Sequence, residues 1–191
     1  MTRFFWVRHG PTHAKSMIGW TDLPADLTDT AALARLRNYL PADALTISSD
    51  LIRATATADA IAPGPRLPHD RSLREIHFGT WEQRSFAEIE ASAPAHIRAF
   101  WDEPGSISAP GGESWNDLTR RVHAATDRLS TAHPGANIIV TAHFGAILAA
   151  LQRALDIPAI QVLAQKIDNL SVTELTLTPQ GWQTGRINHL P

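Results

Sequence analysis

Short apolar runs alternate along this chain with longer segments of helical composition, and that alternation is its tightest constraint on fold. Residues 3–7 (RFFWV), 44–48 (ALTIS) and 137–142 (NIIVTA) read as buried strands. The last is β-branched and bounded by Pro134-Gly135 on one side and His143 on the other. Apolar runs of this length between turn signals suit strands covered on both faces. Each leads into a helical segment, at 29–40, 52–62 and 144–155. Repeated strand–helix units predict an α/β fold, a three-layer α/β/α sandwich around a mostly parallel sheet. Residues 171–178 (SVTELTLT) and 182–187, joined by Pro179-Gln180-Gly181, are expected to close the sheet as a hairpin-like edge.

The link between the second and third strands runs to roughly 90 residues, too long for one ordinary βαβ crossover. Within it, 85–101 has helical composition interrupted by Pro94, and 104–112 (PGSISAPGG) is a loop. Residues 113–132 are expected to form a long helix, with Leu118, Val122, Ala125 and Leu129 at helical spacing. Ser114 or Glu113 would start that helix. The chain therefore reads as one domain over 1–191, with residues approximately 80–115 inserted as a small helical cap over the sheet's mouth. Its 191 residues suffice for one full-sized α/β core.

Composition removes several kinds of function. Net charge is −2 and there is no polybasic run, so the footprint needed for nucleic acid is missing. With no cysteine, disulfides, thiolate metal sites and a cysteine nucleophile are all excluded. Cysteine-free composition fits a cytoplasmic protein. The apolar run before Arg8 is too short for a signal-peptide core, and no stretch approaches the ~20 apolar residues of a membrane span. No membrane partner and no nucleic-acid partner are expected.

In open α/β sheets ligands gather beyond the carboxyl ends of the strands. Here the first strand runs into Arg8-His9-Gly10-Pro11-Thr12, the second into SSDLIRATATA with Arg53 in the first helical turn, and the third into His143. Two histidines and two arginines thus converge from distant segments. A phosphate dianion needs several charge-assisted donors, and the planar arginine fork holds two of its oxygens at once. Gly10 has room for a close turn around such a group. No Asp/His cluster with metal-ligand spacing is visible, so neither metal nor cofactor is expected.

The ordered landmarks VRHGPT (7–12), SSDLIRATATA (48–58), LREIHFGTWE (73–82), PGGES (110–114) and VTAHFG (140–145) resemble the histidine phosphatase superfamily, the phosphoglycerate-mutase-like proteins with an Arg-His-Gly motif. The resemblance covers nearly the whole chain and is nearest to small phosphatases such as α-ribazole phosphatase. It implies that His9 attacks phosphorus and becomes phosphorylated. Arg8, Arg53 and His143 would bind the phosphoryl oxygens, with Thr12 donating a further hydrogen bond. Glu75 would protonate the departing oxygen and later activate water; Glu82, in the same landmark, is the rival carboxylate. The substrate would be a small phosphorylated metabolite and inorganic phosphate a product.

The sequence departs from that pattern at three places. Phe144 follows His143 where glycine is usual and could narrow the pocket or form an apolar wall. Lys15 stands where asparagine is common and could bind a second anionic group or point to solvent. Gln83 replaces the usual glycine after the Trp-Glu pair. His77 is expected to be a polar neighbour, and histidines 13, 69, 96, 123, 133 and 189 to be solvated. The tryptophans are expected in the core, with Trp20 and Trp101 as candidate pocket walls. Alternatives are a phosphoglycerate-mutase-type phosphotransferase, a protein phosphohistidine phosphatase and a non-catalytic phosphate-binding module.

Overall fold

The computed structural model describes all residues, Met1–Pro191. Strands β1 (Thr2–Arg8), β2 (Leu45–Ser48) and β3 (Asn137–Ala142) run parallel with β3 in the middle. β4 (Val172–Thr178) lies antiparallel against β1, and β5 (Gly181–Thr184) antiparallel against β4, giving the order β2-β3-β1-β4-β5. Five helices flank the sheet: α1 (Thr30–Tyr39), α2 (Ile52–Ile61), α5 (Trp115–Ala132), α6 (Phe144–Leu155) and α7 (Ala159–Leu163). The remaining pair, α3 (Phe86–Ser92) and α4 (Pro94–Asp102), belongs to the long crossover.

Successive side chains of a strand face opposite ways, and β1 shows why both faces of this sheet are covered. Phe4 and Trp6 pack into a large cluster with Leu118 and Val122 of α5 and Ile147 and Leu151 of α6. Phe5 and Val7 pack on the other side with Leu36 of α1 and Ile61 of α2. β3 divides likewise, Ile138 and Val140 to the first cluster and Ile139 to the second. Burying one such side chain contributes about 1.5–3 kcal/mol, so the strands are fixed from both sides. This is the expected three-layer sandwich.

Local signals set the helix ends. Asp29 caps α1 by accepting from Ala32 N at 2.9 Å. Ser114, rather than Glu113, caps α5, in a reciprocal capping box with Asp117. The interrupted segment 85–101 becomes two helices, and Pro94 occupies the first position of α4, where its missing N–H costs nothing. Ile89, Ile97 and Phe100 of this pair belong to the same apolar cluster as Ile147 and Leu148. The last strand is shorter than expected, ending at Thr184. Helix α7 has too few residues for a periodicity to be read.

Strand register brings the functional segments together. Val7, Thr141 and Ser48 lie side by side across β1, β3 and β2. Three strands therefore end at one level and deliver Arg8-His9, Ser49 and His143 to one place.

Candidate active site

A cleft of about 140 Å³ opens beyond those strand ends, lined by Arg8, His9, Thr12, Ser16, Arg53 and Glu75 among others. His9 is buried, and its Nδ1 lies 2.6 Å from the Gly10 carbonyl oxygen. A carbonyl only accepts, so Nδ1 carries the proton and Nε2 of the neutral ring keeps its lone pair. Burial, followed by the positive charge of Arg53, holds the His9 pKa down to about 3. At neutral pH His9 is therefore an uncharged nitrogen base beside two cations, the form in which a histidine can act as a nucleophile.

The arginines are held by backbone carbonyls. Arg53, 1% exposed, donates from Nη1 to Thr21 O at 2.8 Å and from Nη2 to Gly19 O at 2.6 Å. Arg8 donates from Nη1 to Ile167 O at 2.6 Å, and its guanidinium faces the Phe144 ring 5.4 Å away. Burial lowers both arginine pKa values, with Glu75 opposing, yet arginine stays charged at any physiological pH.

His143 is wholly buried, its ring centroid 5.0 Å from that of His9, and does not itself line the cleft. Burial first, and then His9 and Arg53, keep it neutral. Its Nε2 meets Ser49 Oγ at 2.6 Å. A hydroxyl donating there leaves Nδ1 as the protonated nitrogen. Nδ1 of His143 and Nε of Arg8 are buried without a hydrogen-bond partner. An unpaired buried polar group costs about 1–3 kcal/mol, a cost that a ligand oxygen reaching either atom would offset.

The two rival carboxylates separate cleanly. Glu82 accepts from Gly19 N, Trp20 N, Thr21 N, Thr21 Oγ1 and Phe78 N. Burial pushes its carboxyl up, but those donors outweigh it and hold the pKa below the usual range. It is a backbone staple. Glu75 lines the cleft, and there burial wins: its pKa is raised despite N–H bonds from Gly145 and Ile76 and the nearby arginines. Oε1 accepts from Ile76 N at 2.8 Å and Gly145 N at 3.1 Å, whereas Oε2 accepts only from Gly145 N at 3.0 Å. Oε2 is thus the oxygen freer to carry a proton.

Thr12 lines the cleft, and Phe144 lines an adjoining apolar slot with Trp101. Lys15 does not join them: its neighbours Ala14 and Ser16 line the cleft, while Lys15 itself is exposed outside it. Trp20 is not a cleft wall either. It stacks on His77 with centroids 4.3 Å apart, and the Arg71 and Arg74 guanidinium carbons lie 4.9 Å from its ring. His96, His123, His133 and His189 are not solvated as expected but half-buried; His96 and His123 face Ser108 O at 2.8 Å and Ala149 O at 2.9 Å, and His189 lies against Tyr39 with ring centroids 4.7 Å apart. Gly10 has a different steric reason from the one expected, since a Cβ there would meet Leu27 Cδ2 at 2.7 Å. Gln83 sits at φ +63°, which explains why glycine suits that position.

No group of three or more His, Asp or Glu side chains is arranged to hold a metal ion, and no helix is long and apolar enough to cross a membrane. A wider cleft of about 550 Å³, lined by Asp26, Arg35, Lys166 and Asp168 among others, contains neither histidine of this constellation.

The sequence pattern of the histidine phosphatase superfamily (branch 1) matches residues 4–190. The chain belongs to that superfamily. The bifunctional protein Rv2228c of Mycobacterium tuberculosis is 33% identical over 170 residues, which cover 81% of this chain and 44% of that protein. The chain therefore spans less than half the length of the curated relatives it first matches. The mycobacterial glucosyl-3-phosphoglycerate phosphatase Rv2419c superposes with a TM-score of 0.85 at 28% identity, covering 99% of both chains. YhfR of Bacillus stearothermophilus shares the fold, with a TM-score of 0.89 at 24% identity over 100% of this chain and 98% of its own.

Several residues that support the cleft carry no local sequence signal. Thr57 Oγ1 accepts from Gly10 N at 3.0 Å, and Asn169 Nδ2 donates to His9 O at 2.7 Å, so the backbone at His9 and Gly10 is held from both sides. Arg121 donates to the carbonyl oxygens of Ser72, Arg74 and Glu75 while paired with Glu113. Ala at position 145 would drive its Cβ into the Glu75 carboxylate, so Gly145 is required for their close approach.

Proposed function

We propose that this histidine phosphatase hydrolyses small phosphorylated metabolites through a phosphohistidine on His9, without a metal or other cofactor. The observation that carries this is one cleft holding a neutral buried histidine, two fixed arginines and a carboxyl biased toward its protonated form.

In the first step His9 Nε2 attacks phosphorus as the P–O ester bond breaks, and Glu75 gives its proton to the departing oxygen. An alkoxide leaves poorly without that proton. Arg8 and Arg53, with Nδ1–H of His143 and the Thr12 hydroxyl, stabilise charge on the phosphoryl oxygens; prearranged donors of this kind need no reorganisation during the reaction. In the second step water attacks the phosphohistidine, the P–N bond breaks, and the Glu75 carboxylate accepts the water's proton. Inorganic phosphate leaves and His9 is regenerated.

A mutase-type phosphotransferase would have to hold a second anionic group. Arg8 and Arg53 are the cations that line the cleft, and the proposed mechanism uses both on the phosphoryl group. This favours hydrolysis, and the cysteine-free sequence fits a cytoplasmic setting. The test is phosphate release from a panel of phosphomonoesters before and after exhaustive chelation. Release that survives chelation is expected. Release abolished by EDTA and restored by one divalent ion overturns the metal-free mechanism, and phosphotransfer to phosphoglycerate without hydrolysis overturns the phosphatase assignment.

A further inference from the structure

We infer that the alcohol part of the preferred substrate is apolar, a flat aromatic or narrow alkyl group, and that it occupies a slot beside the phosphate cleft. This rests on the phosphatase reading above. The slot, about 50 Å³, is walled by Ile76, Phe78, Trp101, Phe144 and Leu163, with Glu75 also in its lining. Glu75 also lines the phosphate cleft. The proton donor therefore stands between the two spaces, and whatever fills the slot is attached to the oxygen that receives the proton.

A second link is independent of Glu75. Arg8 lines the phosphate cleft, and its guanidinium faces the Phe144 ring, which forms one slot wall. Phe144 is thus braced by a phosphate-binding arginine. Trp101 is oriented by edge-on packing against Phe100, with centroids 5.0 Å apart.

The chemistry of these walls selects the occupant. Apart from Glu75, no charged side chain lines the slot. A sugar or glycerate would bury hydroxyls or a carboxylate where few partners exist, which is costly. An aromatic or alkyl group loses nothing there and gains apolar burial and ring packing. Trp101, Pro104, Phe144 and Leu163 are partly exposed, which gives the slot an opening to solvent.

Benzyl phosphate and glycerol 1-phosphate both release primary alkoxides, so comparing them isolates the slot from leaving-group basicity. The wild-type protein should show a kcat/KM at least roughly tenfold higher on benzyl phosphate, the worth of partly burying one ring. Leu163→Lys and Trp101→Gln, each checked for folding by circular dichroism, should both shrink that ratio, and Leu163→Lys should move preference toward 3-phosphoglycerate. Wild-type turnover of glycerol 1-phosphate as fast as benzyl phosphate overturns the apolar slot while leaving the phosphatase intact. A benzyl preference unchanged in both folded variants overturns it too. Turnover of neither ester contradicts the phosphatase reading and this inference together.

Discussion

The mouth of the sheet and the long crossover that carries Glu75 are built by different means. At the mouth, Arg8, His9, Arg53 and His143 are buried or nearly so, and each is fixed by a backbone carbonyl or a neighbouring hydroxyl. In the crossover, Glu75 is placed through tertiary contacts with Arg121, Gly145 and Trp20, and the aromatic walls around it stay partly open. On the proposed mechanism, phosphate recognition is thereby locked into the strand ends, while proton delivery by Glu75 depends on the crossover.

Separating the two carboxylates of that crossover gives the largest expected effect. Glu75→Gln keeps side-chain size and removes the transferable proton, so kcat on alkyl phosphates should fall about 10²–10⁴-fold when phosphorylation of His9 limits the rate. A nitrophenyl ester, whose departing oxygen needs no proton, should lose far less. Because the acid must be protonated, kcat/KM on alkyl esters should decline as pH rises through the raised Glu75 pKa, and Glu75→Gln should lose that limb. Glu82→Gln should show no leaving-group contrast. It should instead lower thermal stability, because one amide oxygen cannot serve all the donors around Glu82. Finding the contrast with Glu82 would reassign the acid.

A smaller effect tests how the crossover is tied to the mouth. Gly145→Ala should displace Glu75 and reduce kcat on alkyl phosphates by about 10–10²-fold, the usual result of an ångström-scale misplacement. Nitrophenyl turnover should move much less. Equal loss on both esters would show that the substitution disturbs the phosphate end instead.

A stability effect confined to the mouth tests the other side of the comparison. The folded pKa of His9 lies below its unfolded value, so its contribution is complete above about pH 6.5 and is lost as pH falls toward about 3. His9→Asn removes this dependence, so on acidification from pH 7 to pH 4 the wild type should lose more stability than the variant, on the order of 3 kcal/mol. Glu75, with its raised pKa, works in the opposite direction and is common to both proteins. Parallel Tm–pH curves would mean that His9 is not held neutral in the fold.

The same contrast governs what was legible in the sequence. Strands β1, β2 and β3 were readable because buried strands need continuous apolar runs, and Arg8, His9, Arg53 and His143 followed from their ends. The Pro94 break was visible as a proline inside a helical pattern. Glu75 could be chosen over Glu82 only by resemblance, since both sit in one landmark and differ in which N–H groups they meet. Lys15 was ambiguous because local sequence does not say which way a loop faces. Arg121, Asn169 and Ser49 act through partners 46, 160 and 94 residues away, and local pattern holds no trace of such pairings.

The decisive measurement is rapid quench with a ³²P-labelled phosphomonoester, followed by peptide mapping. Label should appear on the peptide containing His9, unstable to acid and stable to base as a phosphoramidate is, and its formation should precede release of the second product. His9→Ala should carry no label and turn over no ester. An active wild type whose label sits on another residue, or a His9→Ala protein that keeps near-normal turnover, would contradict nucleophilic catalysis by His9.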